Sequence, residues 1–394
     1  MAYYNYLIIG GGMTAASAID GIRETDANGT IGVITAETHK PYDRPPLSKA
    51  LWTGKKKLEE IMRPATHANV TYHLGLVAQK LDLSGKQVHD DHGDTHTFDK
   101  LLLATGGTTR RLPFGGNDVI YFRTLADYQR LQELAKQHET FAVIGGGFIG
   151  SEVAAALAMN GRTVSLITPE NGICTRLLPA EAVAFFNDYY SQKGVEVITG
   201  ESVVGLEGTG VNLTLATKNK RRINTNGVVA GIGIVPNVEL AVAAGLKVDN
   251  GIVVDQSLRT SHPDVFAGGD VANYFDQALG ARRRVEHEDL ANTMGKAAGQ
   301  AMAGANVNFT HTPFFYSDLF QIGYEAVGEL DSRLQVIADW KEEFHTGVLY
   351  YLDNQRVRGV LLWNVWGKVD EARALIATSE TVAVAALKGR IAFE

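Results

Sequence analysis

The sequence predicts an α/β protein in which one strand–turn–helix unit occurs twice and a smaller α+β domain closes the chain. Three observations carry this reading. Residues 6–22 (YLIIGGGMTAASAIDGI) and 141–157 (FAVIGGGFIGSEVAAAL) repeat the same apolar run, glycine triplet and small-residue helix. Over roughly the first 280 residues, short apolar runs alternate with helical patterns, as expected of buried parallel strands with helices between them. From about residue 308 the texture changes to longer strands bounded by tight turns.

In the first unit the apolar run ends at Gly10, and Gly10, Gly12 and Ala15 fit G-x-G-x-x-A. Glycines at such positions let the backbone turn tightly and approach a pyrophosphate at the helix N-terminus, while a small third residue lets helix pack on strand. Glu37 follows 27 residues after Gly10, at the end of the next strand candidate, 30–35, where it is placed to accept from an adenosine ribose hydroxyl. In the second unit Gly145, Gly147 and Gly150 fit G-x-G-x-x-G in full, and Glu170 lies just beyond the strand candidate 163–167. A carboxylate there repels a 2′-phosphate and so favours NADH over NADPH. Further strands are expected at 100–104, 195–198 and 227–230 in the α/β part. The last domain should hold strands 334–340, 347–352 and 356–363, a turn at Asp353-Asn354-Gln355, and a helix over 368–378.

Composition narrows the function classes. A chain of 394 residues that is 45% hydrophobic can bury the core of two or three domains. Its net charge of −7 argues against a nucleic-acid partner, which needs a basic surface. No apolar run reaches the ~18 residues of a membrane span, and the chain enters a strand at once without a basic leader, so a cytoplasmic location is expected. Cys174 is the single cysteine, which removes any intrachain disulfide or CxxC pair, and the histidines show no metal spacing; His92 and His96 read as residues of a solvated hairpin. Redox chemistry would need a bound cofactor. Trp363 and Trp366 read as core of the last domain. Arg282, Arg283 and Arg284 could steer an acidic protein, or pair with Glu286, Glu288 and Asp289.

Several strings go beyond glycine motifs. Residues 41–52 (PYDRPPLSKALW), Ala104-Thr105-Gly106, Phe266-Ala267-Gly268-Gly269-Asp270, 282–287 (RRRVEH), 324–328 (YEAVG) and 362–364 (LWN) together resemble the family of apoptosis-inducing factor and the oxygenase-coupled ferredoxin reductases. The resemblance covers essentially the whole chain. It implies a glutathione reductase-like fold of two interleaved Rossmann-like domains: an FAD domain in segments 1–112 and 240–307, an NADH domain over 113–239, and the C-terminal domain over 308–394. It further implies that Asp270 bonds the ribityl chain, that Arg44, Lys49 and Arg110 contact the flavin, that Phe148 covers its nicotinamide face, and that Glu286 and His287 border the nicotinamide. Lys49 and Glu152 would form a catalytic pair, an ammonium near flavin N5 held by a carboxylate.

Departures from the family pattern matter as well. Tyr316 stands where many relatives place a tryptophan against the flavin, and Glu288 where apoptosis-inducing factor has a second histidine. Related disulfide reductases keep a redox cysteine where this chain reads Arg44-Pro45-Pro46-Leu47-Ser48-Lys49, so their flavin-to-thiol relay is excluded, and Cys174 reads as a semi-buried bystander. The expected activity is hydride transfer from NADH to FAD and then to an acceptor, with ferredoxin, quinone and dioxygen all open. The alternative is an NADH-sensing flavoprotein acting through homodimerisation or partner binding.

Overall fold

A computed structural model describes the whole chain except residues 65, 379 and 394. The chain divides into two compact units, each assembled from three segments: Met1–Asp43, Leu58–Thr108 and Val235–Pro313 form the first, and Arg44–Lys57, Thr109–Ile234 and Phe314–Glu394 the second.

The first unit is built on a seven-stranded sheet. Strands Val70–Leu74, Ile31–Thr35, Ala2–Ile9 and Thr95–Leu103 lie side by side in parallel, Val265–Ala267 adds to Thr95–Leu103, and two antiparallel strands extend that edge. Burial on both faces explains the unbroken apolar runs: Leu7, Ile8, Leu101, Leu102 and Leu103 are wholly inaccessible. Helix Met13–Thr25 packs on helix Glu288–Met302 through glycines. A Cβ on Gly21 would lie 2.0 Å from the Lys296 carbonyl, and one on Gly299 2.0 Å from that of Ala18, so the backbones approach as closely as they do because side chains are missing.

The second unit contains a five-stranded parallel sheet in the order Val195–Ile198, Thr163–Ile167, Thr140–Ile144, Gly227–Ala230, Val119–Tyr121. It also contains an antiparallel five-stranded sheet, ordered Phe314–Leu319, Ile322–Gly328, Arg356–Trp363, Thr346–Asp353, Gln335–Glu342, against which helix Val369–Ala377 packs. Four of the expected strands (163–167, 195–198, 227–230 and 356–363) have the predicted bounds, and the rest shift at their ends, by one or two residues except for the strand expected at 100–104, which begins at Thr95.

Two expectations are corrected. His96 is not a solvated hairpin residue: it is buried on strand Thr95–Leu103, pairs with the buried Asp90 carboxylate at 2.9 Å and stacks on Tyr4. The alternation of the strand turns it inward, which its polar neighbours conceal. Trp363 is core, wholly buried against Phe186, but Trp366 is 51% exposed. The end of its six-membered ring lies against Gly323, where a Cβ would approach it to 2.5 Å. Among the described residues no helix is long and apolar enough to cross a membrane, and no cluster of three metal-ligating side chains occurs.

Candidate functional site

Each unit carries a glycine turn feeding a helix whose N-terminus is bare. In the first, Gly10 has φ +110°, a conformation that strains other residues, and a Cβ there would lie 2.1 Å from the Ala104 carbonyl. Gly12 caps helix Met13–Thr25 with no side-chain acceptor and no acid in the first turn, and a Cβ at Gly12 would meet nothing within 4 Å. Ala15, wholly buried, is the small third residue. The second turn repeats this in detail: Gly145 has φ +106°, and Gly147 caps Phe148–Met159 with no side-chain bond and open space at its Cβ position. Gly150 packs so closely that a Cβ would sit 1.9 Å from the Gly145 carbonyl. Unsatisfied N–H groups and positive helix ends facing open space fit two phosphate-bearing ligands, one per unit.

The first unit gathers further predicted residues around its turn. The Tyr42 hydroxyl donates to Glu37 Oε2 at 2.6 Å, fixing that carboxylate just beyond strand Ile31–Thr35. Gly269, at φ +73°, presses on Thr14 of the first-repeat helix and brings Asp270 beside that helix start. Arg284 donates from Nη1 both to the Asp270 carbonyl (3.0 Å) and to Glu286 (2.8 Å), tying Glu286 to the same place. His287 stands at the N-cap of Glu288–Met302; burial, then the Arg283 guanidinium, push its pKa down to about 4, so the ring is neutral at pH 7. The arginine run is bonded within the first unit although Arg282 is exposed: Arg282 Nη1 donates to the Val254 and Asn273 carbonyls and Arg283 to Asp276. Of the pairings weighed, Arg284 with Glu286 is present at 2.8 Å. Thr105 and Asn237 exchange two hydrogen bonds that pin the Ala104-Thr105-Gly106 segment.

The second unit holds Arg44, Lys49, Arg110, Phe148, Glu152, Glu170 and Tyr316 together with Gly145, Gly147 and Gly150. Lys49 follows the short turn Pro45–Ser48, where two prolines and a tight 3₁₀ geometry orient it inward. Its side chain is 10% exposed and its ammonium donates to Glu152 Oε2 at 2.7 Å. Lys49 is thus not a surface lysine, and Glu152, 3% exposed and a turn inside helix Phe148–Met159, lies past the first turn where the helix dipole favours an acid. Glu152 takes two more donors, Ser48 Oγ on Oε2 (2.6 Å) and Ser317 Oγ on Oε1 (2.7 Å). A buried carboxylate held by three donors, one of them cationic, is the arrangement that keeps its charge affordable.

Around this pair, the Tyr316 ring faces the Lys49 ammonium at 5.3 Å, and Phe148, 40% exposed, meets Phe315 edge-on at 5.0 Å. Arg44 Nη1 donates to the Arg123 carbonyl, while Arg110 is exposed with its N–H on Gly233. Glu170 accepts from Thr168 Oγ1 at 2.5 Å just beyond strand Thr163–Ile167. Cys174 is fully rather than half buried, and burial pushes its thiol up to about 12, so no thiolate exists at neutral pH. Sequence reasoning missed Ser48, Ser317 and Phe315, because serine and phenylalanine in an apolar setting give no chemical signal until their partners are known.

Residues 4–289 match the pyridine nucleotide-disulphide oxidoreductase family, and residues 298–342 and 337–378 match the C-terminal domain of mitochondrion-associated apoptosis-inducing factor. The chain is 35% identical over 424 residues to mitochondrial apoptosis-inducing factor 1 of Dictyostelium discoideum, spanning 96% of this chain and 79% of that one. It is 33% identical over 332 residues to the ferredoxin–NAD(+) reductase component of the anthranilate 1,2-dioxygenase system of Burkholderia cepacia, spanning 82% and 81%. It is also similar to a chain of the covalent putidaredoxin reductase–putidaredoxin complex, with a TM-score of 0.89, 29% identity and coverage of 97% and 95%. With two bare glycine-turned helix starts and a family match over most of its length, the chain belongs to the pyridine nucleotide-disulphide oxidoreductase family and is an FAD-dependent NAD(P)H oxidoreductase.

Proposed function

We propose that this protein oxidises NADH and delivers the electrons to a ferredoxin-type acceptor. The reading divides the chain into an FAD domain (1–112 and 240–307), an NADH domain (113–239) and a C-terminal domain (308–394). FAD, when bound, supplies a ring that takes hydride from NADH and can release electrons singly to a one-electron acceptor. Gly10, Gly12 and Ala15 would seat its pyrophosphate, Glu37 its adenosine ribose and Asp270 its ribityl chain; Arg44, Lys49, Arg110 and Tyr316 would contact it. Gly145, Gly147 and Gly150 would seat the NADH pyrophosphate and Glu170 its ribose, with Phe148, Glu286 and His287 at the nicotinamide.

The observation that carries the reading is the buried Lys49–Glu152 pair, two oppositely charged groups desolvated together at 10% and 3% exposure. Such a pair is weak evidence for stability, since an apolar pair of similar volume would serve as well or better. An ammonium fixed by a carboxylate can instead stabilise negative charge developing on a bound ring, without reorganising during reaction. Ferredoxin as acceptor draws support from the relative named for ferredoxin–NAD(+) reduction, and NADH over NADPH from the carboxylate of Glu170. A cytoplasmic location belongs to the same reading.

Anaerobic titration of the yellow protein should bleach the flavin at lower NADH than NADPH concentration, and added ferredoxin should restore the colour faster than air does. Equal response to both nucleotides would remove the NADH preference. Lys49→Ala should slow flavin reduction by NADH roughly a hundredfold, as loss of a charge-stabilising donor does elsewhere. A wild-type rate in that variant would deny Lys49 any catalytic part.

A second reading is favoured by the match to the apoptosis-inducing factor C-terminal domain over residues 298–342 and 337–378. Here the protein senses NADH and responds by forming a homodimer. Its signature would be a larger sedimentation coefficient with NADH and slow turnover with every acceptor; rapid ferredoxin reduction without a size change rules it out.

A further inference from the structure

We propose that Ser317 is a positioning residue for the charge pair, its hydroxyl holding the Glu152 carboxylate, and through it the Lys49 ammonium, in one geometry. This rests on the proposed role of Lys49 and deepens it. Glu152 Oε2 receives both Ser48 and Lys49, at 2.6 and 2.7 Å, whereas Oε1 receives Ser317 at 2.7 Å. A carboxylate fastened at one oxygen can swing about it. Fastened at both, it cannot rotate, and the ammonium that follows it is fixed too.

The fold builds this contact in register. Phe148 and Glu152 are four apart on helix Phe148–Met159 and so share a face, separated along the axis by about 6 Å. Phe315 and Ser317 are two apart on strand Phe314–Leu319 and share a face at about 6.6 Å. The two spacings nearly coincide, and the contacts pair off: Phe315 meets Phe148 edge-on at 5.0 Å while Ser317 bonds Glu152. Tyr316, between them, presents its ring to Lys49. Three consecutive residues of one strand thus touch the three side chains proposed as catalytic. Ser317 is 1% exposed, and a hydroxyl so deeply buried is explained by the buried charge it serves.

The test uses the full-length flavoprotein and anaerobic stopped-flow reduction by NADH across a series of NADH concentrations. Removing a donor to a charged acceptor should cost about tenfold in the limiting reduction rate. Apparent NADH affinity should not change, so the loss falls on the rate alone. Thus Ser317→Ala should be slow at unchanged affinity and Ser317→Thr, which keeps the hydroxyl, should restore the rate. If Ser317→Ala does not fold, Ser317→Cys, with a weaker donor of similar size, should show the same loss. A wild-type rate in Ser317→Ala or Ser317→Cys, a weakened NADH affinity in place of a slowed rate, or a Ser317→Thr protein as slow as they are, overturns the assignment. Loss of rate in Lys49→Ala but not in these variants overturns Ser317 alone, whereas a wild-type rate in Lys49→Ala overturns the reading beneath it.

Discussion

Gly147 separates binding from folding at a single position. Its φ is −80°, ordinary for any residue, and nothing lies within 4 Å of where its Cβ would stand. Gly147→Ala should therefore leave thermal stability within about 1 kcal/mol, the scale of a cap change, while its methyl group occupies the space a pyrophosphate would enter. A rise of at least about tenfold in the NADH concentration needed for bleaching, with an unaltered melting temperature, is the expected result; unchanged affinity would remove the second turn as a phosphate site. The glycines themselves were legible in the sequence because their need is local, a positive φ or a close approach that only glycine meets. The surroundings of Glu152 were not. Its donors lie 104, 103 and 165 residues away, and no spacing rule reaches that far. His96 was misread for a related reason: a histidine among aspartates reads as solvated until strand alternation places it inside.

At the level of elements, the end of one strand is fastened by charge. Asp264, just ahead of strand Val265–Ala267, bonds both Lys100 of the neighbouring strand and Lys86, and these hold its carboxyl down at about 2. The folded state thus prefers the ionised form more than the unfolded chain does. The stabilisation is complete above about pH 4 and is lost as the pH falls toward 2, amounting to about 2 kcal/mol at neutral pH. Asp264→Asn should lower the urea midpoint at pH 7 and flatten its decline below pH 4; an equal drop at every pH would assign the effect to packing instead. The repeated strand–glycine–helix units were readable as elements because strand and helix periods change at the glycines. Helix Glu288–Met302 was not among the expected elements; Gly295 and Gly299 weaken a helix interior on propensity alone, yet they are what admits the helix Met13–Thr25 so close.

For the whole molecule, the α/β architecture and the change of texture near residue 308 followed from patterning, whereas the assignment of chain segments to units did not. Residues 44–57 join the second unit although they lie between two segments of the first, and only contacts far apart in sequence decide this. The chain passes between its two units five times. Neither unit is therefore a stretch of sequence that could be cut out and expected to fold alone. During synthesis the first unit cannot close until residues 235–313 have left the ribosome, and the second waits for residues 314–394. Domain-by-domain maturation from the N-terminus, the common route for multidomain chains, is therefore deferred until about four-fifths of this chain has been made. Nascent chains stalled near residue 234 should retain no flavin and depend on chaperones, and both conditions should lift together once residues past 313 emerge.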